Sequence, residues 1–139
     1  MTRVGFYVVQ AAGETQRLQV AARLVDKAFR QGHRIYLNAT SEPQARELDR
    51  LLWSFRPASF LPHALQGEEF SDRIAIGWGQ DPGDHNDLLI NLQLDIPAFF
   101  SRFQRVAEVV TQDDASLSAL RQSWKFYKDR GYQLEKHDL

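Results

Sequence analysis

Apolar residues fall along this chain in two rhythms: short runs suited to strands, and longer stretches with helical spacing. Val4 to Val9 is a continuous run of β-branched and aromatic residues and predicts a buried strand. After a turn at Gln10 to Gly13, Leu18, Ala22, Val25 and Phe29 recur at helical spacing. They predict a helix from Thr15 to Gln31, with Gly32 as its C-cap. Arg34 to Asn38, centred on Ile35-Tyr36-Leu37, reads as a second strand. Ser41-Glu42-Pro43-Gln44 has the form of a capping box and opens a helix to about Trp53 or Phe55. Arg56 to Gly67 carries two prolines and reads as irregular. Arg73 to Trp78 predicts a third strand, Gly79 to Asn86 an exposed loop, and Asp87 to Leu92 a fourth strand. Pro97 suits the first turn of a third long helix through about Val110. Asp113 and Asp114 suit the positive N-terminus of a last helix, which runs to Arg130 and is ended by Gly131.

The resulting order, β-α-β-α-β-β-α-α, predicts an α/β fold. One domain spans residues 1–139, with a mostly parallel sheet covered by helices on both faces, Rossmann-like in outline. The 139 residues are 43% apolar, enough for a core, and 12% aromatic, enough that some rings are available to an interface. A net charge of −1 argues against bulk attraction to DNA or to an anionic membrane. The absence of cysteine excludes disulfides, thiolate metal sites and thiol nucleophiles, and fits a reducing cytoplasm. The N-terminus enters a strand-like run at once, so no signal peptide is expected, and no apolar stretch reaches membrane-spanning length.

A doubly wound sheet invites a nucleotide. Yet the first strand-to-helix turn, Gln10-Ala11-Ala12-Gly13-Glu14, has one glycine where the dinucleotide fingerprint needs three. There is no phosphate loop with its lysine, and Gly77-Trp78-Gly79 leads into a loop rather than a helix. Asp81, Asp84, His85 and Asp87 cluster as oxygen and imidazole ligands would, but without EF-hand spacing, and a solvated turn is the favoured reading. No nucleophile elbow is present. His63, after Pro62 in an apolar setting, suits a hydrogen-bonded structural group better than a base. No catalytic residue, cofactor or metal is therefore expected.

Two regions remain. Leu51-Leu52-Trp53-Ser54-Phe55, with Phe60-Leu61-Pro62-His63 beyond it, is either a satellite core under the proline-rich loop or an exposed patch for a partner. In the last helix Arg121, Lys125 and Lys128 stand at i, i+4 and i+7, a single stripe uninterrupted by an acid, with Leu117 and Trp124 on its border. Ala119, Leu120, Phe126 and Tyr127 fall opposite and should face the core. A basic stripe beside an aromatic rim suits a partner both acidic and hydrophobic. The same cations also complement the helix macrodipole, with Trp124 half-buried.

The chain resembles the chi subunit family of bacterial DNA polymerase III holoenzyme over nearly its whole length. The residues that carry the resemblance are Phe6-Tyr7, the run Leu48 to Trp53, Ser59-Phe60-Leu61-Pro62-His63, Asp87 to Leu92, and the closing run Arg121 to Tyr132. The resemblance implies a non-catalytic, cytoplasmic replication accessory protein whose nucleotide-binding-like fold binds no nucleotide. It implies two partners. One is the psi subunit, which connects chi to the clamp loader and would dock on Trp53, Phe60, Pro62 and His63. The other is the acidic C-terminal tail of single-stranded DNA-binding protein, which ends in phenylalanine and would take Arg121, Trp124, Lys125, Lys128 and Leu117. Trp124 stands where a tyrosine is expected, so the ring surface is kept and a phenolic hydrogen bond lost. Direct binding of single-stranded nucleic acid, or a small α/β nucleotide-binding enzyme, is the alternative.

Overall fold

The computed structural model describes residues 1–54, 62–68 and 73–139. The strands among them are β1 (Arg3–Val8), β2 (Ile35–Asn38), β3 (His63–Leu65), β4 (Ile74–Gly77), β5 (Leu88–Asn91), β6 (Arg105–Val110) and β7 (Gln133–Asp138). The helices are α1 (Glu14–Arg30), α2 (Glu42–Ser54) and α3 (Asp114–Asp129). The strands form one sheet in the order β3-β4-β2-β5-β6-β1-β7, and every pairing is parallel. None of the described helices is long and apolar enough to cross a membrane.

Both faces of the sheet are covered, as the α/β reading requires. α1 and α2 bury Leu18, Val25, Leu48 and Leu52 against Ile35, Leu37, Ile76 and Ile90 on one side. On the other, Tyr127 of α3 and the rings of Phe100 and Phe103 close over Val4, Phe6, Leu89 and Val106. Ser41 caps α2 by accepting the Gln44 amide at 3.3 Å, while the Gln44 side chain accepts the Thr40 amide at 2.8 Å. Asp113 caps α3 by accepting the Ser116 amide at 3.1 Å. Past α3, Gly131 takes φ +82°, a left-handed value that suits glycine, and the Tyr132 amide returns to the Tyr127 carbonyl at 3.1 Å.

Three parts of the sequence reading need correction. The expected third long helix from Pro97 to Val110 does not form: a short 3₁₀ turn, Phe100–Arg102, leads into strand β6. β6 lies between β5 and β1 and is largely buried, so its apolar residues do not alternate with polar ones. The stretch expected to be irregular holds β3, a three-residue strand at the sheet edge. Beyond Gly131 the chain adds β7 along β1, where no element was expected. The calls on Phe55, Arg56 to Phe60 and Leu61 lie outside the described residues.

Candidate functional site: the basic edge of the last helix

α3 meets the sheet through small residues. Ser116 and Ser123, seven apart, are buried together with Tyr127. Leu117, Leu120 and Trp124 form a half-buried row on one flank, Ala119 and Phe126 on the other. The expected core face holds for Tyr127, which is fully buried, and for Leu120 and Phe126, which pack half-buried against the same core, while Ala119 is half-buried on the flank. The small serines lie buried on the sheet side, and the larger side chains spread to either side.

Arg121, Lys125 and Lys128 are all exposed, as the stripe predicts. Trp124 lies beside them with its ring 5.2 Å from that of Phe6 at 45°, so one part packs on the sheet while the rest stays open. The expectation of a stripe free of acids is corrected on two counts. Lys125 Nζ pairs with Asp129 Oδ2 at 2.9 Å, and this hydrogen bond raises the lysine above its ordinary value. Asp114, seven residues before Arg121 and exposed, occupies the same sector of the helix.

Sequence reasoning missed Lys136. It stands opposite Phe6 in the β1–β7 register, on the sheet face that carries Leu134 and packs against Trp124. β7 therefore brings a fourth cation to the tryptophan edge, itself paired with Asp138 at 3.5 Å. The signal was faint because the run Gln133 to Asp138 is mostly polar. Across α3, Leu94, Ile96, Pro97, Phe100, Ala119 and Phe126 line an apolar groove of about 440 Å³. Asp95 lies on its rim, so its charge does not favour an acidic guest.

The second candidate region is partly described. Trp53 ends α2 at 57% exposure, one of the few large apolar side chains open to solvent among the described residues. Pro62 is half-buried nearby, and Phe60 lies outside the described residues. The His63 ring is 4.7 Å from that of Trp53, with Nε2 3.1 Å from the Asp49 carbonyl and 3.2 Å from its carboxylate. The His63 side chain is fully buried. It is the hydrogen-bonded structural group that the sequence suggested.

The other candidate chemistry is drawn apart. Asp81 binds Arg102 at 2.8 Å, Asp84 binds Arg34 at 3.2 Å and Asp87 binds His33 at 3.1 Å. His85 is buried beside Tyr36 rather than solvated, which corrects the expectation of a wholly exposed turn. Open α/β sheets take ligands beyond the carboxyl ends of their strands. Here protein side chains fill that crevice. Asn38 donates to Asn91 at 3.0 Å, Asn91 to Glu108 at 2.9 Å, and Tyr127 to Glu108 at 3.2 Å, while Arg17 donates to the Leu92 carbonyl. The space left beside Arg17 and Glu108 is about 20 Å³, the scale of one water molecule. Burial pushes the Glu108 carboxyl up to about 7, against the lowering effect of its bonds from Asn91 and Tyr127.

Comparison with known proteins settles the lineage. Residues 1–135 match the family described as DNA polymerase III chi subunit, HolC. This chain belongs to that family. The DNA polymerase III subunit chi of Pseudomonas aeruginosa is 49% identical over all of this chain and 98% of its own length. The chi subunit of Haemophilus influenzae is 32% identical over 96% of this chain and 95% of its own. That of Escherichia coli is 29% identical over 84% and 81%. The chi family membership makes this chain an accessory subunit of DNA polymerase III.

Proposed function

We propose that this chi-family chain is a non-catalytic adaptor joining two proteins. The edge of α3 holds the acidic, phenylalanine-ended tail of single-stranded DNA-binding protein, and the surface around Trp53 holds the psi subunit, which connects chi to the clamp loader. The chain would thereby tether the polymerase assembly to protein-coated single-stranded DNA. The observation that carries this reading is the exposed row Arg121, Lys125 and Lys128 beside the half-open ring of Trp124.

Each part of the tail has a matching group. The Arg121 guanidinium presents paired donors suited to a terminal carboxylate. Trp124 and Leu117 offer an apolar wall to the terminal ring. Lys125, Lys128 and Lys136 supply positive potential for the preceding acids, an attraction that salt screens. The Lys125–Asp129 pair does not stand in the way, because both side chains are exposed and a solvent-screened pair of this kind opens readily. At the other surface, Trp53 is the exposed anchor, and buried His63 with Asp49 fixes its orientation.

The test of the psi arm is co-purification. Trp53→Ala should lose psi while retaining the acidic tail, and Arg121→Ala should do the reverse. Loss of both partners in either variant, with the fold intact by circular dichroism, would contradict two separate surfaces.

A further inference from the structure

α1 covers only part of its side of the sheet. It packs mainly over β6 and β2, and the residues of β1 and β7 beside it, Gly5, Tyr7, Glu135 and His137, are only half-buried. Between the last turns of α1 and the strands lies a hollow of about 190 Å³, lined by residues of α1, β1, β5 and β6 and by Gln31 and His33. We propose that this hollow is a second binding site, for a small single-ring carboxylate, separate from the edge of α3.

Size comes first. A cavity of about 150 Å³ accepts one benzene ring, so this hollow takes one ring and a short anionic arm. Its apolar lining comes from Leu24, Ala28, Leu88 and Ala107. The Tyr7 ring also lines it, held by stacking on His137 at 4.6 Å and 15°. That ring lies back over Gly5, where an added Cβ would stand 3.2 Å from it.

Charge then selects the ligand. The polar groups lining the hollow are Tyr7, Lys27, Gln31, His33 and Arg105, and no carboxylate is among them. Asp87, the nearest acid to His33, already bonds its Nδ1 at 3.1 Å. Among the described residues, Lys27 and Arg105 make no ion pair, in contrast to Arg3, which holds Glu135 at 3.4 Å. Lys27 lies in the last turn of α1, where part of its charge complements the helix dipole. The Lys27 carbonyl accepts the Gln31 amide, and the Ala28 carbonyl accepts the amides of Gln31 and His33. Two cations without an ion pair, lining a ring-sized hollow of mixed polar and apolar character, select an aromatic anion over a neutral ring or a cation.

The test is an amide-resolved NMR titration of the full chain with phenylacetate, and with 2-phenylethanol as the neutral analogue. The expected result is saturable shifts at Leu24, Ala28, Leu88 and Ala107 for phenylacetate. Binding should be roughly tenfold weaker for the alcohol and for Lys27→Glu, the scale of one lost charge-assisted bond. Arg121→Ala should leave it unchanged. An acidic peptide ending in phenylalanine forms the second arm: shifts at the same four amides assign a peptide terminus as a source, and their absence assigns free aromatic acids. Shifts confined to Leu117 and Trp124, no saturation at millimolar phenylacetate, or equal binding of the alcohol would overturn the proposal.

Discussion

Replacing Glu108 by glutamine tests how the last helix is fixed to the sheet. Glu108 is buried in β6 and bonded by Tyr127 of α3 and Asn91 of β5. An amide can keep both contacts, with Tyr127 Oη then accepting. The substitution therefore removes a titration and preserves shape. Burial raises this carboxyl from 4.5 to about 7 in the folded chain. Below the unfolded value both states are protonated, and folding pays nothing for the group. Between the two values the unfolded state ionises while the folded state holds its proton, so stability falls as pH rises. Above the folded value the full penalty remains. At about 1.4 kcal/mol per unit, this displacement makes roughly 3 kcal/mol of pH-dependent destabilisation. Urea unfolding of both proteins in steps from pH 5 to pH 8 reads it directly. The glutamine variant should gain on the parent by an amount that grows through this window and then levels. Contributions from other groups cancel in the comparison. Parallel curves would mean that Glu108 titrates as an ordinary carboxyl, and the reasoning from burial would be wrong.

Other outcomes follow from the same geometry. Asp113→Ala removes the α3 cap and should cost about 1 kcal/mol in urea unfolding at neutral pH. Because the Asp113 carboxyl is lowered to about 2, mainly by the Thr111 hydroxyl, its contribution should persist above the ordinary aspartate range and fade as pH drops toward that value. Asp129→Asn frees Lys125 and removes a negative charge from the edge of α3, so it should tighten acidic-peptide binding by roughly twofold in calorimetry at low salt. Lys136→Ala should weaken the same binding and flatten its salt dependence; an unchanged salt slope would remove β7 from the site.

Much of the fold was legible because local signals agreed with their tertiary setting. The capping box at Ser41 and Gln44, the Gly131 terminator and the apolar run of β1 all describe the element that forms. β6 is hidden in the sequence because Pro97 suits the first turn of a helix, and a strand buried on both faces shows no alternation to oppose that reading. β7 was missed for the opposite reason: Gln133 to Asp138 is a polar edge strand that relies on β1 for its pairing. The candidate site was legible where it depends on helix periodicity alone, as in Arg121, Trp124, Lys125 and Lys128. It was not legible where distant elements meet. Neither Lys136 beside Phe6 nor the Asp49–His63–Trp53 arrangement can be seen without the sheet.

The most direct test of the adaptor account is calorimetric titration of the chain with an acidic peptide ending in Pro-Phe, beside a copy lacking the phenylalanine, repeated with Arg121→Ala. The account predicts binding that needs the phenylalanine, weakens with salt, and loses about 1–3 kcal/mol with the guanidinium. Equal binding of the two peptides, or an Arg121→Ala variant that binds as tightly as the parent, would contradict it.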